Sequence, residues 1–267
     1  MKVWSIANQK GGVGKTTTAV TLAGLLAQRG ARVLMVDLDP HGSLTTYFGH
    51  DPDEIDQSVY NLFQPGVGLM PDPATLLRST AYEHLELLPA STALATLDRQ
   101  LGGQEGMGLV LGKALQQLSD RFDHVFIDCP PVLGVLMINA LAASQHLLIP
   151  VQTEFLALKG LERMLRTLNM VLRARQRPLP YLILPTMFDR RTRASLESLR
   201  SLKERYPQLL WESVIPIDTQ FREASRQGAP LSVVNPHARG AVAYAELLDT
   251  LLGTQPSSTE YAMGTSA

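Results

Sequence analysis

Short runs dense in valine, isoleucine and leucine alternate along this chain with longer stretches whose apolar residues recur at helical spacing. The runs predict strands at Lys2–Asn8, Arg32–Asp37, Leu85–Leu88, His124–Asp128, Leu147–Val151, Tyr181–Pro185 and Trp211–Ile215. The longer stretches predict helices at Lys15–Gln28, Met107–Asp120, Leu156–Arg175, Ala194–Tyr206 and Arg239–Leu252. The strands are almost continuously apolar, as parallel strands are when both faces are covered. The pattern therefore predicts an α/β fold, a largely parallel twisted sheet with helices on both faces. Residues 50–80 carry Pro52, Pro65, Gly66, Gly68, Pro71 and Pro73 and read as an excursion at the sheet's edge. No repeat or linker divides the chain, so one domain is expected over residues 1–252. The small, polar tail 253–267 has no amphipathic period and is expected to be disordered.

Composition narrows the classes. At 267 residues and 45% hydrophobic, the chain suits one large domain, or a domain with a small appendage, and can bury a sizeable core. The one cysteine, Cys129, excludes a disulfide framework within the chain and a thiolate metal cluster supplied by one chain. No apolar stretch reaches the ~18 residues of a membrane span. The first strand runs straight into a glycine loop without a signal peptide, so a cytoplasmic address is expected. Formal net charge is −1, which says nothing about polyanions, but the charge is unevenly spread. Residues 163–226 hold 13 basic and 6 acidic side chains, a net of +7, either a solvated helical face or a binding surface.

The strongest chemical signal lies between the first strand and the first helix: Lys10, Gly11, Gly12, Val13, Gly14, Lys15, Thr16, Thr17. Glycines let consecutive backbone N–H groups converge on phosphate oxygens, and the following helix N-terminus adds partial positive charge. Lys15 would neutralise the β- and γ-phosphates, and the Thr16 hydroxyl can ligate Mg²⁺. The strict G-x-x-x-x-G-K-[ST] spacing would need glycine at position 9, where this chain has Gln9. Two apolar strands close on acids nearby in this chemistry. Arg32–Asp37 leads into Asp37-Leu38-Asp39-Pro40, and His124–Asp128 ends in Asp128, which can hold magnesium through water. Pro130 and Pro131 stiffen the loop that follows Asp128. The six histidines have no metal-ligand spacing.

The K-G-G-x-G-K-T-T run resembles the deviant Walker A motif of the ParA/MinD ATPases, P-loop NTPases, and the resemblance extends from this loop to Asn235–Ala241. It implies ATP and Mg²⁺ as cofactors and a homodimer formed when ATP is bound. Lys10 would then reach the nucleotide of the partner subunit, making Lys10 and Lys15 catalytic. Asp39 would position the attacking water, and Asp37 would support the magnesium and lysine network. Gln152–Glu154 would lie at the dimer face, and the loops around Pro185–Thr192 and Pro216–Asp218 would hold adenine, with Pro216 and Asp218 as contacts. The resemblance implies slow hydrolysis stimulated by a ParB-like or chemotaxis adaptor partner, in a cytoplasmic protein at the nucleoid or cell pole. The run Val36–Leu44 with Tyr47-Phe48-Gly49 is similar to the ParC-like proteins that place chemotaxis arrays.

What is absent prunes the relatives. Only one cysteine is present where the nitrogenase iron-protein branch needs two, and the tail lacks the amphipathic membrane helix of the MinD branch. A small-molecule enzyme on the same fold, similar to dethiobiotin synthetase, and a module that holds ATP without hydrolysing it are the competing readings. Nonspecific DNA is the expected matrix, with Arg193, Arg200, Lys203, Arg222, Arg226 and Arg239 as candidate contacts. Against it, the family's I-P-R-N-V-R run reads Ile215-Pro216-Ile217-Asp218-Thr219-Gln220 here, and both arginines are lost. A polar protein scaffold is the other matrix consistent with that loss.

Overall fold

In the computed structural model, which describes residues 1–64, 71–97, 100, 107–175 and 177–253, the chain builds one sheet. Its strands are β1 (Lys2–Ile6), β2 (Val33–Asp37), β3 (Arg78–Ser79), β4 (Leu85–Leu88), β5 (His124–Asp128), β6 (His146–Gln152) and β7 (Tyr181–Thr186). They lie in the order β3-β4-β2-β5-β1-β6-β7. Every neighbouring pair is parallel except β3 with β4. The excursion around residues 50–80 ends in that antiparallel edge strand, and its residues 65–70 lie outside the described ones.

The continuous apolar strands are explained by two separate cores. Leu34, Val36, Val125, Ile127, Leu147 and Ile149 point into one, which is completed by α4 (Val110–Gln117), α5 (Val135–Ala143) and α6 (Phe155–Ala174). Trp4, Ile6, Met35, Phe126 and Leu148 point into the other, under α1 (Lys15–Gln28) and the C-terminal helix Arg239–Leu252. Successive side chains of a strand leave on opposite faces, so both must be apolar here. Register then aligns the functional edge: Ile6 and Asp37 both pair with Asp128, which levels the C-terminal ends of β1, β2 and β5.

Three expectations change. Trp211–Ile215 forms no strand; the chain touches β7 through Trp211 N–H to Ile183 O (2.9 Å) and Ile215 N–H to Pro185 O (2.8 Å), with a bend between. Beyond β7 the contact continues around Pro216, with Phe188 N–H donating to Ile215 O (3.0 Å) and Ile217 N–H to Phe188 O (3.1 Å). The helix expected over Met107–Asp120 starts as a 3₁₀ turn at Met107–Leu109 and is α-helical only over α4. Helix α5 was not foreseen, because Val-Leu-Met-Ile-Asn-Ala-Leu-Ala-Ala is apolar all round and shows no amphipathic period.

The remaining helices are α2 (Ser43–Tyr47), α3 (Tyr60–Phe63), α7 (Arg193–Arg205), α8 (Gln220–Arg226), α9 (Leu231–Val234) and α10 (Arg239–Leu252). Helix α10 ends at Gly253 in a left-handed cap. The tail expected to be disordered lies, from residue 254, outside the described residues.

Candidate nucleotide site

The loop between β1 and α1 is shaped by glycines. Gly12 (φ 71°) and Gly14 (φ 92°) sit in the left-handed region that a side chain disfavours, and Gly14 caps α1. The loop is then pinned from behind. The Asn8 side chain donates to Pro150 O (2.7 Å) and accepts from Lys10 N–H (3.0 Å). Thr186, at the end of β7, donates its hydroxyl to Val13 O (2.9 Å). Lys15 opens α1 and is buried.

Thr16 donates to Asp128 Oδ2 at 2.5 Å, bringing the two residues expected to hold magnesium together. Asp128 is buried, and its Oδ1 has no hydrogen-bond partner among the described residues. A buried, unpartnered carboxylate oxygen beside a threonine hydroxyl is a hard-oxygen donor set, and it fits a magnesium ion. Burial pushes the Asp128 carboxyl up, opposed by the Thr16 hydrogen bond and the Lys15 charge. A bound dication would reverse that burial effect.

Asp37 stands beside Asp128 but has another task. Its Oδ2 accepts from Thr45 N–H (2.8 Å) and the Thr45 hydroxyl (2.7 Å), and its Oδ1 accepts from Asp39 N–H (3.1 Å). It therefore anchors the start of α2 and the turn that carries Asp39. Burial first, then the Asp128 charge, pushes its carboxyl upward. Asp39 is nearly buried, and its Oδ1 accepts from His41 N–H (3.1 Å) and meets His41 Nδ1 at 2.8 Å.

In the single protomer Lys10 is held by its own chain: its Nζ donates to Gln152 Oε1 (3.1 Å) and forms an ion pair with Glu154. Glu154 stands at the N-cap of α6 but makes no side-chain capping bond there. Beside it, Phe155 and Leu156 are 69% and 70% exposed, unusual for large apolar residues.

A cleft of about 540 Å³ opens beside the loop, bordered by Gly14, Thr17, Met187, Pro216, Asp218 and Tyr244. Both residues expected to hold adenine thus border it. Asp218, however, accepts from Gln220 N–H (3.0 Å) on one oxygen and Gly240 N–H (3.0 Å) on the other. The six candidate DNA contacts are all exposed, and they fall into two groups. Arg193, Arg200 and Lys203 ride on α7, while Arg222 and Arg239 border the cleft and a neighbouring cavity, with Arg226 on α8. Arg193 and Arg226 are paired with Glu197 (2.6 Å) and Glu223 (3.0 Å).

Sequence reasoning missed Thr45, Thr186, Asn8 and Tyr244. Asn8, Thr186 and Tyr244 act on residues far away in the chain and Thr45 on Asp37 eight residues back, and a hydroxyl or amide in isolation carries no signal of such a partner. Arg190 and Arg191, which join Arg239 around the cavity of about 520 Å³, lie in the basic window and in the loop expected to hold adenine but were not singled out as DNA contacts. Cys129 is buried, and burial pushes its thiol up to about 12, so it is not a nucleophile here. Among the described residues no histidine, cysteine or acidic cluster could hold a metal by itself, and no helix is long and apolar enough to cross a membrane.

Comparison with known proteins agrees with this geometry. The family profile AAA_31, described as an AAA domain, matches residues 1–180. The chain is 37% identical over 247 residues to the sporulation initiation inhibitor protein Soj of Bacillus subtilis, covering 92% of this chain and 96% of that one. It is 34% identical over 249 residues to the chromosome partitioning protein ParA of Myxococcus xanthus, covering 92% and 86%. The structure of cobyrinic acid a,c-diamide synthase from Mycobacterium smegmatis with bound ATP analogue and magnesium superposes with a TM-score of 0.83 at 36% identity, over the full length of both chains.

Proposed function

The chain belongs to the ParA/Soj family of P-loop ATPases, and from that premise we propose that it is an ATP-driven dimerising switch that positions intracellular cargo. The observation that carries the reading is the conjunction at one sheet edge of the glycine loop, Lys15, the Thr16–Asp128 pair and a second lysine, Lys10, on the loop's outer side. Backbone N–H groups and Lys15 bind the phosphates. Thr16 and Asp128 would hold magnesium, whose charge would help neutralise the phosphates. Asp39, set by Asp37 and Thr45, orients the water that attacks the γ-phosphorus in line. The products are ADP and phosphate.

Lys10 belongs to the switch. In one protomer it rests on Gln152 and Glu154, and in the ATP-bound dimer it turns to the nucleotide of the partner subunit. A cation arriving in trans stabilises charge on the transferring phosphoryl group as an arginine finger does. Phe155 and Leu156 beside it supply apolar area to the same face. The protein is cytoplasmic in this reading, at the nucleoid or the pole, and its partner is ParB-like or a chemotaxis adaptor that stimulates hydrolysis. Nonspecific DNA is the matrix, held by Arg222, Arg226 and Arg239 in place of the two arginines lost from the 215–220 run.

A second reading has one observation behind it. The structural relative from Mycobacterium smegmatis is named as a cobyrinic acid a,c-diamide synthase and holds an ATP analogue and magnesium. The two readings differ in what the γ-phosphate meets. A switch transfers it to water, and an amide synthase transfers it to an acceptor. Phosphate release from ATP and Mg²⁺ by the purified chain, with no other substrate, separates them. The switch reading expects slow turnover that Lys15→Ala abolishes. No release above the Lys15→Ala background, together with release on adding carboxylate acceptors and an amide donor, would favour the synthase.

A further inference from the structure

Behind the glycine loop lies a hydrogen-bonded relay that the nucleotide chemistry above does not use. Tyr244, in the middle of α10, is 1% exposed, and its hydroxyl lies 2.7 Å from Thr18 Oγ1. Thr18 Oγ1 lies 2.7 Å from Gly14 O, which also accepts from Thr18 N–H (2.9 Å). The direction of the relay follows from counting protons. A carbonyl can only accept, so the Thr18 hydroxyl donates to Gly14 O, and Tyr244 must then donate to Thr18.

The consequence is geometric. A trans peptide is planar, with its C=O and N–H pointing opposite ways. Fixing Gly14 O downward into α1 fixes the Lys15 N–H upward, toward the phosphates. Thr186 does the same for the preceding peptide by holding Val13 O. Gly14 has a left-handed backbone and no side chain to restrain it, so these planes depend on bonds from outside the loop.

Helix α10 is itself held in place by Asp218, in the loop after Pro216, and by Phe221 of α8. Gly240 N–H donates to Asp218 Oδ2 at 3.0 Å, and the Phe221 ring meets the Tyr244 ring edge-on at 5.8 Å between centroids. The cleft wall and the relay therefore share one rigid piece.

We propose that Tyr244 is a positioning residue for nucleotide binding: through Thr18 it orients the Gly14–Lys15 peptide toward the phosphates. This rests on the reading of the glycine loop as the ATP site. The test is a fluorescence titration of the full chain with an N-methylanthraniloyl-labelled ATP analogue and Mg²⁺, with steady-state hydrolysis and thermal unfolding measured on the same samples. Loss of one such hydrogen bond should weaken nucleotide affinity about three- to tenfold in Tyr244→Phe. Thr18→Val should lose at least as much, and Thr18→Ser, which keeps the hydroxyl, should bind like the parental chain. The double variant Tyr244→Phe/Thr18→Val should bind no worse than Thr18→Val alone, because both changes break one relay. KM for ATP should rise by the same factor while kcat changes little.

Parental affinity in Tyr244→Phe, with only the melting temperature lowered, would overturn the proposal and leave a purely structural tyrosine. So would losses in the two single variants that multiply in the double. If Tyr244→Phe does not fold, the comparison of Thr18→Val with Thr18→Ser reads the same relay from its other end, and equal affinities there would reject it. A parental chain that binds no nucleotide would instead sink the reading of the ATP site, and this proposal with it.

Discussion

Lys10 and Lys15 stand at opposite ends of one glycine loop, and their surroundings assign them different work. Lys15 is buried at the first position of α1, and Lys10 lies on the outer side, paired with Glu154. Removing Lys15 takes away the principal cation of the phosphates. In the proposed dimer, removing Lys10 takes away a charge that matters only when a second protomer docks. Lys10→Ala should therefore bind ATP within about twofold of the parental chain, since a half-exposed pair contributes little to the protomer, while its hydrolysis rate falls at least about tenfold, as for a lost charge-stabilising contact. Nucleotide titration and phosphate release measured side by side check this. Loss of ATP binding as complete as in Lys15→Ala would remove the trans role. At this scale the sequence was readable wherever the chemistry is local. Glycine spacing, Lys15 and Thr16 follow one another along the chain, and Asp128 ends a strand with an apolar run before it. Asp37 and Asp218 were recognisable as acids at the right edge, but not their partners. Thr45 lies eight residues on from Asp37, and the N–H of Gly240 lies 22 residues on from Asp218. Only the folded chain brings these groups within hydrogen-bonding distance.

Among elements, α1 carries the loop and must be held firmly on its outer side, where α9 and α10 cover it. Gly24 in mid-helix marks the closest approach. A Cβ placed there would lie 2.4 Å from Pro230 Cβ and 2.9 Å from its Cγ, on a rigid ring that cannot swing away. Alanine favours a helix interior over glycine by about 1 kcal/mol. The overlap opposes this, since overpacking a well-filled contact costs roughly 1–3 kcal/mol. Gly24→Ala should thus lower the melting temperature by a few degrees rather than raise it, as thermal unfolding followed by circular dichroism would show; a rise would mean that α9 gives way. Elements were legible in proportion to their length and amphipathicity. Helix α1 is bounded as expected because Gly14 starts it and Gly30 follows it. Helix α5 left no period to read because its whole circumference is apolar, and α2, α3, α8 and α9 are too short for a period to develop. The segment 211–215 has the composition of a strand, but contact with β7 at its two ends alone does not make one.

Across the whole molecule, charge is unevenly distributed, and large apolar side chains such as Phe155 and Leu156 stand exposed beside Lys10 and Glu154. Residues 1–150, with 9 basic and 14 acidic side chains, carry the loop and its carboxylates, and residues 151–267, with 15 and 11, present Arg222 at the cleft, Arg239 at the neighbouring cavity and Arg226 on α8. If those arginines hold nonspecific duplex, affinity should require ATP and fall steeply with added salt, with a slope near the number of phosphates neutralised. An interferometry titration over a salt series measures that slope, and undetectable binding at low salt by a dimeric form would favour a protein scaffold. The doubly covered sheet was plain in the sequence. The proposed docking face was readable only in part: the family resemblance pointed to Lys10 and Gln152–Glu154, whereas the exposure of Phe155 and Leu156 at the start of α6 shows only in the folded chain.

The central claim is that ATP drives this chain from protomer to dimer and that hydrolysis undoes it. Asp39→Ala removes the carboxylate proposed to orient the water while leaving the loop, Thr16 and Asp128 in place. The most direct measurement is the molar mass of this variant by light scattering on a sizing column, with and without ATP and Mg²⁺. The account predicts the mass of one chain without nucleotide and twice that mass with it, persisting because the nucleotide is not consumed. A single-chain mass in both conditions, with ATP demonstrably bound, would contradict it.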